Sequence, residues 1–265
     1  MANAAKPGAQ RGLWARRLTW LALVLAIGGV AAALIAAVGS GLEAWHFRTG
    51  FTILRYAFFA AIAGGVLAII ALAMSHRAGV PGLRTRNVLA LAVALLFVGY
   101  LGQQIYTART VPAIHDVATD LEDLPQPRAL RVREDNLENV PDMGRAELKA
   151  LEPEERWKAI HREAYGDLEP VRVPWTVEET IGKAQALADK RGWQIAHVDP
   201  ARGALEATET TRFFRFKDDV VLRARKAPDG KGTLVDMRSI SRVGGSDVGV
   251  NARRVREFLE DLRQS

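Results

Sequence analysis

The stretch of greatest chemical potential runs Arg238-Ser239-Ile240-Ser241-Arg242-Val243-Gly244-Gly245-Ser246-Asp247-Val248-Gly249-Val250-Asn251, and Arg253 and Arg254 follow it. Glycine at three positions lets a ligand approach the backbone, and a glycine-rich turn that opens a helix presents N–H groups to an anion. Arg242, Arg253 and Arg254 bring positive charge to the same place, and Ser239, Ser241 and Ser246 bring hydroxyls. The Lys-Ser/Thr of a phosphate-binding loop and the paired-glycine dinucleotide pattern are both missing. The candidate ligand set is Arg238, Ser239, Arg242, Gly244, Ser246, Asp247, Asn251 and Arg254. The alternative is architectural: a tight turn in which Asn251 caps the next helix and Asp247 pairs with an arginine.

A second cluster is Asp218 and Asp219, after the aromatic residues Phe213, Phe214 and Phe216. Two carboxylates suit a hard cation. Neighbouring side chains on extended backbone point to opposite faces, however. The simpler reading is a charged turn between strands, with a salt bridge to Arg238 or Arg242. His115 and Asp116 are adjacent, but no serine nucleophile is placed beside them. The three histidines after residue 107 lack metal-ligand spacing, and the absence of cysteine removes thiol catalysis and thiolate metal sites,. Neither a metal nor a cofactor is implied.

The elements that position these residues belong to two unlike halves. The first 106 residues carry nine basic residues and a single acid, Glu43, whereas the rest carries 27 basic and 29 acidic residues. The high isoelectric point is thus a property of loops flanking apolar segments. The folded part has no basic stripe, which argues against nucleic acid as a partner. Three apolar runs, at about 18–38, 56–74 and 88–106, each approach the ~20 residues needed to cross a bilayer. The first is longer than a signal-peptide core and two more follow it, so it reads as a membrane helix.

Basic residues cluster before the first run (Lys6, Arg11, Arg16, Arg17) and between the second and third (Arg77, Arg84, Arg86). This charge bias places the N-terminus in the cytoplasm and the C-terminal domain outside. The expected location is a bacterial inner membrane, multi-pass, with a periplasmic domain. Small residues spaced by four (Gly28 and Ala32, Ala60 and Gly64, Ala61 and Gly65) suit close packing among the spans. No charge lies within a span, so no transport path is indicated.

Residues 107–152, with Pro112, Pro125, Pro127 and Pro141, read as an extended connector, and 153–265 as a soluble α+β domain. A helix begins near Pro153 with Trp157, Ile160 and Ala164 on one face, ending at Gly166. A second has Thr176 and Glu179 as a capping box, an apolar stripe of Val177, Ile181, Ala184 and Ala188, and Gly192 at its end. Period-two alternation then predicts strands over 193–198, 204–211, 219–224 and 233–239. A last helix over 251–263 presents Val255, Phe258, Leu259 and Leu262. The expected fold is a three-span helical membrane region plus an antiparallel four-stranded sheet flanked by helices. Trp157, Trp175 and Trp193 are expected in the core.

The C-terminal part resembles the bacterial and plastid domain of unknown function 1499. The likeness rests on Ile114-His115-Asp116-Val117-Ala118-Thr119-Asp120, on Phe216-Lys217-Asp218-Asp219-Val220, and above all on the run from Arg238 to Asn251 with Arg254-Val255. It covers about residues 107–265. The Pro-Pro usual after the Thr-Asp is broken up as Leu124-Pro125-Gln126-Pro127, and 128–152 is unusually acidic. The resemblance implies a fold and no activity. No complete catalytic set is visible, so the residues point to a domain that binds a partner, an anionic ligand or an envelope protein beside the lipid bilayer. The alternative is an enzyme acting on an anionic or lipid-linked envelope substrate.

Overall fold

The computed structural model describes residues 7–78, 80 and 82–265. Lys6 and the side chains of Arg11 and Arg77, used above for orientation, lie outside the described residues. The chain divides into two units, Met1–Tyr106 with Phe213–Arg215, and Thr107–Arg212 with Phe216–Ser265.

Three helices, α1 (Pro7–Gly41), α2 (Phe47–Ala78) and α3 (Leu83–Thr110), form the first unit. All three are long and apolar enough to cross a membrane,. They outrun the apolar stretches because helical hydrogen bonding continues into the polar flanks. Leu21, Val24, Ile35, Phe59, Ile69 and Leu96 are exposed, so the helices are apolar on their outer as well as their inner surfaces, as lipid contact requires.

Their inner contacts are made by small side chains, among them Ala22, Ala26, Ala68, Ala90 and Ala94. A Cβ on Gly64 would lie 2.7 Å from Ala26 N, and one on Gly29 would lie 2.8 Å from Ala57 O. Backbone approach between α1 and α2 therefore depends on both glycines. Gly28 faces open space, and its neighbour Gly29 has the packing role expected of it.

The second unit follows in the order β1 (Asp116–Ala118), α4 (Ala146–Lys149), α5 (Pro153–Tyr165), β2 (Val171–Val173), α6 (Val177–Lys190), β3 (Gln194–Asp199), β4 (Ala204–Thr210), β5 (Lys217–Lys226), β6 (Thr233–Ser241) and α7 (Val250–Gln264). The sheet has six antiparallel strands in the order β1-β6-β5-β4-β3, with β2 also paired to β6. Four were expected; β1 and β2 are three residues each, too short to show periodicity. Both lie along one edge of β6.

The capping box of α6 forms as read, with Thr176 and Glu179 each satisfying the other's backbone N–H. Gly192, at φ 74°, closes the helix. Its N–H reaches Asp189 O at 2.9 Å and that of Trp193 reaches Ala188 O at 3.0 Å, a Schellman closure,.

One sheet face carries Val220, Leu222, Ala224, Val235 and Met237, packed under Ile181, Ala184 and Ala188 of α6 and Val255, Phe258, Leu259 and Leu262 of α7. Trp157 and Trp193 are buried there, and Trp193 stacks on Phe258 at 4.9 Å. Trp175 is only partly buried and lies beneath Lys183 Nζ at 4.5 Å. On α5 the inward residues are Trp157, Ile160, His161 and Tyr165. Ala164 is exposed, because the long aromatic side chain of Tyr165 takes the core position. Residues 107–152 are mostly irregular, yet Ile114, Val117, Val140 and Leu148 belong to the core cluster.

Replacing Gly64 with Leu is expected to lower the melting temperature of the helical unit in detergent, whereas Gly28→Leu is expected to be tolerated. Helix melting followed by circular dichroism checks this, and equal effects at the two positions would contradict the α1–α2 packing.

Candidate functional site

Strand register sorts the charged residues of the motif onto the two faces of the sheet. Asp218 lies opposite Ser241, and Asp219 opposite Ile240. The two aspartates are not in a turn, because β5 already begins at Lys217. The preceding loop is closed by two 2.8 Å bonds, one from Thr211 N–H to Phe216 O and one from Phe216 N–H to Thr211 Oγ1. Adjacent positions on a strand face opposite ways, so the aspartates serve different networks.

On the face covered by helices, Arg254 of α7 is 4 % exposed. It donates to Asp218 Oδ2 at 2.7 Å and to Ser239 Oγ at 2.9 Å, and it pairs with Glu209 as well. Asn251 sits inside the first turn of α7 and joins that turn to the sheet. Its Nδ2 donates to His115 O at 2.8 Å and Ser241 Oγ at 3.0 Å, and its Oδ1 accepts from Ser239 Oγ at 2.8 Å and from Arg254.

Asn251 is therefore not the helix cap. Gly249 holds that position, and the Asp247 carboxylate two residues earlier accepts the N–H groups of Gly249 at 2.9 Å and Asn251 at 2.6 Å, rather than an arginine. Burial pushes the Asp247 carboxyl above its usual range, against those two N–H groups, which favour the charged form. Ser246 Oγ accepts from Val248 N–H at 3.2 Å. Gly244 and Gly249 take φ of 90° and 75°, so these two glycines make the left-handed turns of the loop. Val248 also lies at positive φ, 56°, a costly place for a β-branched residue.

The opposite face is the one sequence alternation leaves to solvent. It carries Asp219, Arg223, Asp236 and Arg238, with Glu206 and Thr208 from β4 and Asp116 from β1. Asp116, Glu206, Asp236 and Arg238 are at most 3 % exposed. Arg238 grips Asp116 with two parallel bonds, Nε to Oδ1 at 3.0 Å and Nη2 to Oδ2 at 2.6 Å. Asn136 Nδ2 adds a third donor to Asp116 at 2.5 Å.

Residues 120–136 cover this face. Glu206 accepts the backbone N–H groups of Arg128, Ala129 and Leu130 at 2.6, 2.9 and 2.8 Å. Arg238 also reaches Pro125 O at 3.3 Å, and Arg223 reaches Asp123 O at 2.7 Å. Arg242 pairs with Asp219 at 2.8 Å and reaches Thr208 Oγ1 at 3.1 Å. Three arginines of the motif thus have carboxylate partners within the domain; Arg238 and Arg254 are buried, whereas Arg242 and Arg253 are exposed. Sequence reading missed Glu206. Its only signal is an acid in mid-strand, and the covering segment lies 76–78 residues away in the chain.

Two buried polar atoms, His115 Nε2 and Asn136 Oδ1, face one small cavity lined by Ile114, Asp116, Asn139, Trp157 and Gly245 without a hydrogen bond of good geometry, although the Asn136 side chain is near enough to raise the His115 pKa. Burial, and then Arg133, lower the His115 pKa, opposed by Asp116. His161 is 1 % exposed, accepts the Ala118 N–H on Nε2 at 3.2 Å, and has its pKa lowered to about 4, chiefly by burial. Among the described residues no group of three or more His, Asp or Glu is placed to hold a metal ion.

An open concavity lies at the other end of the sheet, where β6 begins. It is lined by Trp175, Glu178, Arg202, Arg225, Lys226 and Gly232, among others. Arg225 is committed to Asp236 at 2.8 Å. Arg202 and Lys226 are exposed.

The class defined is a chain with three apolar helices followed by an antiparallel α+β domain whose second sheet face is a buried ion-pair layer. The chain belongs to the family described as protein of unknown function (DUF1499), which matches residues 117–262. No curated protein and no solved structure matches it.

Two outcomes test this account. Arg238→Met alone is expected to cost about 3–5 kcal/mol, because Asp116 is left as a buried uncompensated charge. Adding Asp116→Leu should recover much of that loss. Urea unfolding of the domain in the full chain measures both, and a cost below about 0.5 kcal/mol, typical of a surface site, would refute the pair's role.

The second concerns pH. A folded His161 pKa of about 4 against 6.5 unfolded means the unfolded chain binds more protons between those values,. His161 stabilisation is therefore complete above pH 6.5 and is lost as pH falls towards 4, on the order of 3 kcal/mol. His161→Gln should flatten the decline in urea midpoint over that window; an unchanged slope would exclude His161 as its source.

Proposed function

We propose that this protein is anchored in a bacterial cytoplasmic membrane by its three helices. Its C-terminal domain faces the periplasm and works as a binding module for an anionic envelope ligand or partner. The observation that carries this reading is the internal pairing of the motif: Arg238 with Asp116, Arg242 with Asp219, and Arg254 with Asp218 and Glu209. Side chains so committed build a rigid scaffold and leave recognition to the surface. The open cleft carries Trp175 with Lys183 over its ring, the exposed Lys226, and the exposed Arg202 paired loosely with Asp199 at 3.8 Å, a set that suits an anionic group.

A second reading, an enzyme acting on an anionic or lipid-linked substrate, is favoured by His115 Nε2 and Asn136 Oδ1, which face one small cavity. A thermal-shift series on the full chain in detergent distinguishes the two, using phosphate, pyrophosphate, glycerophosphoglycerol and soluble wall fragments. A saturable shift that survives Arg242→Ala and disappears in Arg202→Ser/Lys226→Ser supports the binding module. A shift abolished by Arg242→Ala in a folded protein, or turnover of a probe dependent on His115, overturns it.

A further inference from the structure

Connections from three parts of the chain meet where β6 begins: 174–176 before α6, 200–203 between β3 and β4, and 227–232 between β5 and β6. They border the Trp175 cleft, whose volume is about 490 Å³, inside the ~300–1,000 Å³ usual for small-molecule sites. Its walls are fixed by the backbone. Gly203, at φ 66°, lies so close to β5 that a Cβ on it would be 2.0 Å from Ala224 O. Gly232, at φ 77°, lies as close to β2, where a Cβ would be 2.2 Å from Val173 O. Both turns are thus pressed onto neighbouring strands, and Arg172 holds the second through Asp229 at 2.6 Å. Thr233 is buried and donates its hydroxyl to Trp175 O at 2.8 Å, so the residue that carries the indole is itself anchored to β6. A cleft built this way binds without first having to be ordered.

The cleft offers chemistry of different kinds side by side. Trp175 gives a ring. Lys183 Nζ stands over that ring at 4.5 Å but is not part of the cleft wall, so the indole meets the cleft with the rest of its surface. Lys226 and Arg202 give exposed positive charge. Arg202 touches Asp199 only at 3.8 Å, whereas Arg225 beside them is held by Asp236 and Asp120. Glu178, in the first turn of α6, gives an exposed carboxylate, which accepts hydrogen bonds and donates none. A bare phosphate would engage the cations and leave the ring and the carboxylate idle. A neutral sugar would engage the ring and the carboxylate and leave the cations idle.

We propose that the ligand of this cleft is an acidic sugar, a pyranose ring that carries a phosphate or a carboxylate. Its C–H face lies on the indole, where apolar area leaves water. Its hydroxyls donate to Glu178, and its anionic group meets Lys226 and Arg202 in charge-assisted bonds. This rests on the reading of the domain as a binding module for an anionic ligand, and it adds the chemical class of that ligand. The ring, the acceptor and the cations together reject molecules that satisfy only one of them.

Titration calorimetry on the full chain in detergent tests this, with glucuronate, glucose 1-phosphate, glucose, inorganic phosphate and uridine monophosphate as probes. The two acidic sugars should each bind about tenfold more tightly than glucose or phosphate. Trp175→Leu should bring them down to the affinity of phosphate, and Trp175→Phe, which keeps a ring, should recover most of the difference. Glu178→Ala changes an exposed side chain outside the core, and it should weaken both acidic sugars without weakening phosphate. Circular dichroism establishes that each variant is folded. Equal affinity for phosphate and the acidic sugars refutes the sugar and leaves the anion-binding module standing. Tighter binding of uridine monophosphate than of either acidic sugar refutes it in favour of a nucleotide. Absence of binding by every probe refutes both the sugar and the cleft as the module's anion site.

Discussion

The ion pair between Asp116 and Arg238 organises the domain. The guanidinium and carboxylate meet in two parallel bonds with almost no exposure to water. Such a pair is a costly way to gain stability, because both ions lose their hydration. It is an effective way to specify position. Two planar groups in bidentate contact admit little sliding, and here they join β1, the first strand of the domain, to β6, the last. The same carboxylate takes a third bond from Asn136, and the indole of Trp157 donates to the Asp116 backbone oxygen at 2.9 Å. One residue thus ties together an edge strand, a central strand, the covering segment and α5.

Around this pair the sheet has two unlike faces. One buries aliphatic and aromatic side chains under α6 and α7. The other carries charged side chains under residues 120–136, which Glu206 holds through three backbone N–H groups. The loop between β6 and α7 then completes the end of the sheet nearest the start of β1. Asp247 accepts N–H groups at the start of α7 from within that loop, and Asn251 bonds both β6 and the backbone of His115. The motif most suggestive of an anion site is also a junction where strand, helix and incoming chain are fastened together.

The proposed binding function accordingly rests on the surface rather than on the motif. The domain offers a cleft with Trp175 and the exposed side chains of Arg202 and Lys226 where β6 begins. His115 Nε2 and Asn136 Oδ1 face a small cavity beside Asp116.

Local rules sufficed for much of this. Runs of ~20 apolar residues dictate helices that fit a bilayer, Thr176 with Glu179 dictates where α6 starts, and alternation over 204–210 and 233–239 dictates strands. These features are decided by neighbours in the chain, so they are legible in it. Tertiary structure decided the rest. Asp116 and Arg238 lie 122 residues apart, and nothing near either announces the other. Glu206 looks like a solvent-facing strand residue until the covering segment arrives from across the chain. Two three-residue strands exist only because β6 offers them an edge. Which acid meets which base is fixed by strand register and by desolvation, and both come into being only when the sheet has formed.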